Sequence, residues 1–307
     1  MRTAGTRLRR HSLSRSWESV GARAIATLLS TFLAIPSLAQ ALHDDRGAAI
    51  HMAAPPQRIV SLLPSLTESI CALGACDRLV GTDRFSNWPA SVAALPKLGG
   101  LEDAQIERIA ALKPDLVVAS TSARVTDRLE ALGLQVVVLD SRTREDVHRS
   151  LTLLARLLAT PIPAERLWAD IERETRGAAE RVPPALRGQR VYFEIDSTPY
   201  AAGPTSFVGE TLQRIGMSNA ISAELGPFPK LNPEYVVRLQ PDIVMSVQRE
   251  LQAMAGRPGW STLKALLNRR TCGFSSERYE LLVRPGPRMG EAANVFADCL
   301  IEIARNR

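Results

Sequence analysis

Aromatic and arginine side chains are concentrated in the connections that follow the predicted strands. The aromatic residues are Phe85, Trp88, Tyr200, Phe228 and Trp260, and the arginines are Arg84, Arg124, Arg249, Arg284 and Arg288. In a parallel sheet, connections at the carboxyl ends of the strands form the crevice where a ligand binds. Aromatic rings offer flat apolar area and guanidinium groups pair with carboxylate or phosphate, although such side chains also pack beneath loops or face water. We expect a small-molecule site whose contacts are Phe85, Trp88, Tyr200, Phe228, Arg249 and Arg288.

The residues needed for catalysis are scarce. Downstream of residue 41 the only histidines are His43, His51 and His148, so a Ser-His-Asp site has almost no histidine available. The chain contains no G-x-S-x-G, Walker A or G-x-G-x-x-G pattern, and no cluster of histidines and carboxylates typical of a metal site. We therefore expect no catalytic residue, no bound metal and no resident cofactor.

Two glutamates occupy equivalent places in a repeated pattern. Glu107 and Glu234 each fall in the first turn of a predicted helix. The helix dipole favours a carboxylate there by about 0.3–1 kcal/mol, which by itself accounts for both residues. The functional interpretation is that they form a matched pair of negative charges, one on each lobe. Such a pair would engage two arginine sites on a partner with two-fold symmetry.

Four cysteines complete the set of reactive side chains: Cys71, Cys76, Cys272 and Cys299. In an oxidising compartment an even number suggests disulfides, and three pairings are formally possible. Two of the cysteines fall in each predicted lobe, which favours Cys71–Cys76 and Cys272–Cys299. Buried free thiols are the alternative, and a metal site is disfavoured because CxxC spacing and nearby histidines are absent.

The repeated pattern also predicts the elements that position these residues. Residues 106–118 and 233–245 each read as a short amphipathic helix, a stop at Leu-x-Pro-Asp and a buried strand. Strands alternate with helices around both copies, as is typical of parallel β/α architecture. We predict two similar α/β lobes, hence a cleft, bridged by a helix over Ala164–Arg181. Local signals add a capping box at Ser65–Glu68 and strands near Thr271–Phe274 and Glu280–Val283.

Composition divides the chain into five segments. An Arg-rich start, an apolar stretch and the triplet Ala39-Gln40-Ala41 predict a signal peptide over residues 1–41, with an uncleaved anchor as the alternative. Residues 42–56 read as a flexible leader, 57–140 as an N-terminal lobe, 141–185 as a helical connector with the bridging helix, and 186–307 as a C-terminal lobe. The first segment carries +5 of the net charge of +6, and the nearly neutral remainder argues against nucleic acid as a partner.

Several stretches resemble the helical-backbone periplasmic binding proteins that feed ABC importers for cobalamin, ferric siderophores and haem. They are Arg58–Glu68, Ile106–Val118, Arg190–Gly203 and Asn232–Val244, and the likeness runs from Arg58 to the C-terminus. Cobalamin-binding proteins are the most similar members. The resemblance implies two Rossmann-like lobes with central parallel sheets, joined by one long helix and closing little on a ligand. It also implies a monomer located in the periplasm.

The resemblance assigns roles to individual positions. Glu107 and Glu234 match two lobe-surface glutamates that dock onto arginines of the permease dimer. Phe85 matches an aromatic residue that contacts the corrin ligand, and Phe228 matches a tryptophan there.

Two positions depart from the family pattern. Leu101 stands where the cobalamin binder has another tryptophan, so the pocket is less aromatic. Ile215 stands where that protein has a cysteine paired to the one matched by Cys299, so the resemblance implies that Cys299 pairs elsewhere or stays free.

The expected function is a periplasmic substrate-binding protein that delivers cobalamin or a related corrinoid to an ABC permease dimer with its ATPase. A ferric siderophore or haem is the alternative ligand. Two other classes stay open. A secreted two-lobed enzyme would need an acid–base pair from Asp83, Glu194 and Asp196. A sensor subunit would bind a ligand without transporting it.

Overall fold

The architecture is taken from a computed structural model that describes residues 42–160, 162–197 and 199–306. Predictions for residues 1–41, including the signal peptide, lie outside the described residues. Within the described ranges, no helix is long and apolar enough to cross a membrane.

Residues 42–50 form a hairpin on the first sheet. Its strands, β1 (Leu42–His43) and β2 (Ala49–Ile50), pair antiparallel. The side chain of Asp44 holds the turn by accepting the backbone N–H groups of Arg46 and Ala48 at 2.9 and 3.0 Å. The predicted flexible leader over residues 42–56 is therefore corrected for residues 42–50, because its small polar residues are used to form a tight turn.

The N-terminal lobe is built on a four-stranded parallel sheet in the order β4-β3-β5-β6. Its strands are β3 (Ile59–Ser61), β4 (Leu79–Thr82), β5 (Leu116–Ala119) and β6 (Val136–Val138), and its helices are α1 (Pro64–Ala72), α2 (Ile106–Ala111) and α3 (Thr126–Ala131). Strands β3, β5 and β6 are buried throughout, so their sequences are continuous apolar runs. The predicted capping box at Ser65–Glu68 does not form, because proline occupies the first helical position of α1 and Ser65 lies inside the helix.

Two helices connect the lobes, α4 (Arg144–Leu158) and α5 (Ala164–Arg181). Helix α4 packs on α1, and at its start the backbone N–H of Arg144 donates to Glu210 of the C-terminal lobe at 2.7 Å. Helix α5 packs mainly along the last helix of the chain. The chain therefore passes between the lobes through α4 and α5 together, and the prediction that Ala164–Arg181 is the bridge stays a prediction, since α5 contacts both α4 and the last helix.

The C-terminal lobe has a five-stranded mixed sheet. Parallel strands run in the order β11-β10-β7, and β9 and β8 pair with the other edge of β7, parallel and antiparallel respectively. The strands are β7 (Arg190–Asp196), β8 (Tyr200–Ala201), β9 (Ser218–Asn219), β10 (Ile243–Val247) and β11 (Thr271–Phe274). The helices are α6 (Phe207–Arg214), α7 (Pro233–Leu239), α8 (Gln248–Met254), α9 (Lys264–Leu267), α10 (Ser276–Leu282) and α11 (Met289–Arg305).

Single 3-10 turns complete the connections at Cys76–Arg78, Ala90–Ala94, Pro184–Leu186, Ala223–Leu225 and Trp260–Thr262. The strand expected near Glu280–Val283 is instead the end of α10. The hydroxyl of Ser275 accepts the backbone N–H of Arg278 and so begins a helix where a strand was predicted.

The two sheets share one apolar core. Ile59 and Val118 of the first sheet and Val191 and Met245 of the second join it, together with apolar residues of α4, α5 and α11. The opposite face of each sheet packs in a separate cluster beneath its own helices. This arrangement confirms the predicted fold class of two α/β lobes with central parallel sheets joined by a long helix.

The repeated Leu-x-Pro-Asp segments form the same corner in both lobes. A carboxylate oxygen of Asp115 accepts the backbone N–H of Arg58 at 2.9 Å, and one of Asp242 accepts that of Arg190 at 2.8 Å. The guanidinium group of each of these arginines then donates to a carbonyl at the end of the repeat helix, at 2.7 Å in both lobes. The motif is therefore scaffold, since it ties the first parallel strand of each lobe to the repeat helix, α2 or α7.

Disulfides join Cys71 to Cys76 and Cys272 to Cys299, and the described residues contain no free cysteine. This is the pairing favoured by the distribution of the cysteines between the lobes. Cys272 lies on β11 and Cys299 on α11, so the second bridge ties an edge strand to the last helix.

Candidate functional site

A cavity of about 820 Å³ lies where the carboxyl ends of the two sheets meet. The N-terminal lobe contributes Leu63 after β3, Ser120 after β5 and residues 139–142 after β6. The C-terminal lobe contributes Ile195 from β7 and Phe207 from the start of α6. Small-molecule sites in proteins commonly enclose about 300–1,000 Å³. The cavity is therefore a ligand-sized cleft with one wall from each lobe.

Two of the predicted aromatic contacts lie in the wall of this cavity. Phe228 lines it and packs against Phe207, with ring centroids 5.9 Å apart. Tyr200 also lines it, and the ammonium group of Lys230 lies 6.0 Å from its ring centroid. Leu101, which the resemblance places at a tryptophan position, is a lining residue too. The aromatic residues of the described cavity wall, Tyr200, Phe207 and Phe228, belong to the C-terminal lobe.

The other two predicted aromatic contacts lie beside the cavity. Phe85 is 60% exposed and lines two adjoining cavities of about 350 and 290 Å³, both of which share Leu63 with the main cavity. The Trp88 ring is stacked under the guanidinium group of Arg288, 4.7 Å from its centroid. Phe85 and Trp88 therefore belong to the rim of the cleft.

The arginines of this region are paired with carboxylates. The pairs are Arg84–Asp103, Arg124–Glu102, Arg142–Asp140, Arg249–Glu250, Arg284–Glu68 and Arg288–Glu291. Arg249 has an 86% exposed side chain on α8 and does not line the cavity, so its position removes it from the candidate site. Arg288 contacts Trp88 and Glu291 and is also outside the lining. Sequence alone could not reveal these pairings.

The cavity wall offers little net charge. Arg142 and Asp140 neutralise each other through a hydrogen bond of 2.8 Å. Asp196 adds one carboxylate, and the exposed Lys230 lies near the mouth beside Tyr200. The remaining lining residues are apolar or carry hydroxyl groups.

Ser120 is a site residue that the sequence reasoning missed. It follows β5 directly, is 7% exposed and lines the cavity, and among the described residues its hydroxyl has no hydrogen-bond partner. Buried hydroxyl groups are normally hydrogen-bonded, so the position is suited to a polar group on a ligand. Its place immediately after a buried strand is the signal that could have identified it.

The rim aromatics are carried by a loop that a buried carboxylate holds in place. One oxygen of Asp83 accepts the backbone N–H groups of Phe85 and Ser86 at 2.7 and 3.1 Å, and the other accepts the Ser86 hydroxyl. The ammonium group of Lys97 donates to the carbonyl of Ser86 at 2.6 Å. Burial raises the pKa of Asp83, although the hydrogen bonds from Ser86 and Phe85 oppose that shift. Asp83 therefore supports the loop and is not free to act as an acid or base.

Glu194 is likewise committed to the fold. It is buried on β7 and accepts hydrogen bonds from the hydroxyl of Tyr192 at 2.9 Å and from Arg257 at 2.8 Å. Burial raises the pKa of Glu194, and these two donors partly offset the rise. Of the three carboxylates considered for an enzyme, only Asp196 lines the cavity.

Glu107 and Glu234 lie on the surface in the first turns of α2 and α7. Within the part of the chain that the structure describes, neither carboxylate takes part in an ion pair. In the same part of the chain, no three His, Cys, Asp or Glu side chains are grouped as a metal site would require.

The sequence is similar to that of transport proteins. A family model described as periplasmic binding protein matches residues 59–274. An uncharacterized ABC transporter substrate-binding lipoprotein, YvrC of Bacillus subtilis, is 27% identical over 80% of this chain and 80% of its own length. The vitamin B12-binding protein of Pectobacterium atrosepticum is 29% identical over 62% of this chain and 71% of its own.

The fold is similar to that of solved binding proteins. The periplasmic heme-binding protein RhuT from Roseiflexus sp. RS-1, in its apo form, superposes with a TM-score of 0.68 and is 26% identical. The match covers 81% of this chain and 99% of that one. The proteins to which this chain is similar thus include both a vitamin B12-binding and a heme-binding protein.

Proposed function

This chain belongs to the periplasmic binding protein family, and we propose that it binds cobalamin or a related corrinoid in its cleft and delivers it to an ABC importer. The similar proteins are substrate-binding transport proteins rather than enzymes. The similarity to a vitamin B12-binding protein supports the corrinoid, and the similarity to a haem-binding protein makes haem the competing ligand.

The observation that carries the proposal is the nearly neutral cavity wall. Its one arginine, Arg142, is already paired with Asp140, and the other lining residues are mostly leucines, aromatics and serines. A buried anionic group needs a cationic partner, so haem propionates or an acidic siderophore would meet little compensation inside this cavity. Cyanocobalamin carries no net charge and presents peripheral amides, which suit an apolar wall with scattered hydroxyl groups.

One observation favours haem as the second candidate. Tyr200 brings a half-exposed phenol to the wall, and tyrosine is a known axial ligand of haem iron. Lys230 beside it would supply one cation for a propionate. A ferric siderophore is the third ligand class, supported by family membership alone.

Calorimetric titration with cyanocobalamin and with haemin tests the proposal. We expect cyanocobalamin to bind with a micromolar or lower dissociation constant, and Phe228→Ala to raise that constant by about tenfold through lost aromatic contact. Tyr200→Phe keeps the ring and removes the hydroxyl, so it should leave corrinoid binding nearly unchanged. Haemin binding that gives a visible absorption band lost in Tyr200→Phe, with no heat from cyanocobalamin, would overturn the corrinoid assignment.

The proposed partners are a permease dimer and its ATPase, and the similarity to an ABC transporter substrate-binding lipoprotein supports them. We propose that Glu107 and Glu234 are the charges that dock on that dimer. We also propose that residues 1–41 act as a signal peptide that exports the protein to the periplasm, where it acts as a monomer.

A further inference from the structure

Arg284 lies in the short segment of the C-terminal lobe between α10 and α11, where it lines the adjoining cavity of about 290 Å³ together with Phe85. Its neighbours Val283 and Pro285 both line the main cavity. Its own side chain is only 10% exposed and turns away from that cavity lining toward the N-terminal lobe. A guanidinium group so deeply buried requires several acceptors.

Three of its four acceptors belong to the other lobe. The guanidinium group donates to Glu68 of α1 at 2.8 Å, to the side-chain oxygen of Asn87 at 2.8 Å and to the backbone carbonyl of Phe85 at 3.1 Å. The fourth acceptor is Glu280 of α10, at 2.7 Å. Glu280 also accepts from the side-chain amide of Asn87 at 2.9 Å, which closes the network. One arginine therefore joins α10, α1 and the rim loop.

The buried carboxylate in this network is Glu68, whose side chain is 2% exposed. Burial raises the pKa of Glu68, and the hydrogen bond from Arg284 opposes that rise. Replacing a buried ion pair by apolar groups often costs little stability, so such a pair is weak evidence for a stabilising role. The geometry of the pair is more informative. Besides Glu68, the guanidinium group of Arg284 reaches the backbone carbonyl of Phe85, whose ring is exposed at the rim.

A second contact holds the same loop from the same lobe. The guanidinium group of Arg288, one turn further along the chain, covers the Trp88 ring, and it lies 3.9 Å from Glu68. The loop is thus held on its own side by Asp83 and across the cleft by Arg284 and Arg288.

We infer that Arg284 is a positioning residue that fastens the Phe85–Trp88 loop across the cleft and so sets where the rim aromatics meet a ligand. The inference rests on the proposed function only for the measurement of cyanocobalamin affinity. Lysine at position 284 would keep the charge beside Glu68, but its single ammonium group would not reproduce the fork that also reaches the Phe85 carbonyl.

The test measures amide hydrogen exchange of the segment 83–91 and cyanocobalamin affinity in Arg284→Lys. The control is Arg278→Lys, an exposed arginine of α10 that makes no side-chain ion pair in the described residues. We expect Arg284→Lys to speed exchange in the segment, to lower the unfolding midpoint modestly because buried acceptors lose their donor, and to raise the dissociation constant by about tenfold because the rim loop is less firmly held. The control should change none of these.

Should Arg284→Lys fail to fold, the double variant Glu68→Leu/Arg284→Met removes both buried charges and keeps the exchange measurement. Unchanged exchange in 83–91 would overturn the inference whatever the ligand is. Faster exchange with unchanged affinity for a bound corrinoid would overturn the link to the ligand. If the unmodified protein binds no corrinoid, the proposed ligand fails, and the exchange result alone decides the role of Arg284.

Discussion

Ser120 places a buried hydroxyl group in the wall of the cleft, and this hydroxyl has no hydrogen-bond partner in the part of the chain that the structure describes. Leaving such a group unpaired costs about 1–3 kcal/mol in a folded protein. A ligand that offers an amide or carbonyl at this point recovers part of that cost when it binds. Ser120 therefore belongs among the candidate contacts, although its side chain is smaller than the aromatic residues and, unlike the arginines, carries no charge.

We predict that Ser120→Ala weakens ligand binding by about two- to tenfold, corresponding to the net value of one hydrogen bond, about 0.5–1.5 kcal/mol. Thermal stability should be unchanged or slightly higher, because the hydroxyl has no partner to lose in the ligand-free protein. Calorimetry and thermal denaturation measure the two effects. The matched control is Ser122→Ala, which removes an exposed hydroxyl of the same wall and should cost less. Equal losses in both variants would contradict the prediction.

For individual residues, the sequence identified candidate side chains but not the partners to which they bond. Tyr200 and Phe228 line the cavity, although Tyr200 lies on the antiparallel strand β8, and their role as ligand contacts stays a prediction. Arg249 was misplaced because a neighbouring glutamate in the same helix satisfies it, which sequence spacing does not reveal. Glu68 was interpreted as part of a capping box, whereas it is buried against an arginine 216 positions away. Long-range pairs of this kind are beyond local sequence patterns.

Among the elements, the β1–β2 hairpin was the least predictable. The turn covers the edge of the first sheet: Asp44 accepts the backbone N–H of Val138 at 3.1 Å, and the backbone N–H of Asp45 donates to the Val138 carbonyl at 2.9 Å. Asp45 also accepts the backbone N–H of Asp140, a cavity residue, at 2.6 Å. The hairpin therefore protects an edge strand and supports the wall of the cleft. Its polar residues gave no apolar periodicity from which this could be predicted.

We predict that Asp44→Ala lowers the free energy of unfolding by about 1–3 kcal/mol, because it leaves buried N–H groups without acceptors. Asp77→Ala, an exposed aspartate on a surface turn, is the control and should change stability little. Urea denaturation of both variants measures the difference. Identical midpoints for Asp44→Ala and the unmodified protein would exclude a structural role for the hairpin.

The same side chain predicts a dependence on pH. Burial alone would raise the pKa of Asp44, but its hydrogen bonds from Arg46, Val138 and Ala48 outweigh that and lower the pKa below its ordinary 3.8. A lowered carboxyl pKa stabilises the fold above the unfolded-state pKa and loses that effect as pH falls through the folded-state value. The stability difference between the protein and Asp44→Ala should thus be full at neutral pH and shrink below pH 3.8.

Secondary structure was predicted well where the apolar pattern is long and poorly where it is short. The buried strands β5 and β10 and the long helices α4 and α5 lie at their expected positions. The end of α10 was predicted as a strand because its last residues are apolar, and a short apolar run fits either structure. Helical periodicity does not say which element a face packs against, so it does not by itself choose between α4 and α5 as the bridge.

At the scale of the molecule, three contacts limit how far the lobes move apart. The lobes share one apolar core, α4 touches both, and Arg284 of the C-terminal lobe donates to Glu68 of the N-terminal lobe. Opening the cleft would expose core residues of both sheets to water, at about 25 cal/mol per Å² of apolar surface. The arrangement agrees with the limited closure that the family resemblance implies. A ligand is therefore accommodated mainly by the rim loops and side chains rather than by large lobe rotation.

The repeated corner gives the molecule a matched pair of surface charges. In each lobe the aspartate–arginine tie fixes the repeat helix to the sheet, and the helix presents its glutamate to solvent. Glu107 and Glu234 are therefore held on rigid supports that are equivalent in the two lobes. A permease dimer with two equivalent arginine sites would recognise both at once, and the limited lobe movement would keep their spacing nearly constant with and without ligand.

We predict that Glu107→Lys/Glu234→Lys abolishes ligand transport by the reconstituted importer while leaving the dissociation constant of the ligand unchanged. Lysine in the first turn opposes each helix dipole by only about 0.3–1 kcal/mol, so the fold should persist. Glu277→Lys/Glu302→Lys makes the same change of net charge at two exposed sites and should transport normally. Equal loss of transport in both double variants would show that overall charge, not the matched pair, governs docking. Loss of ligand binding in the first variant would show that these glutamates contribute to the ligand site rather than to the permease interface.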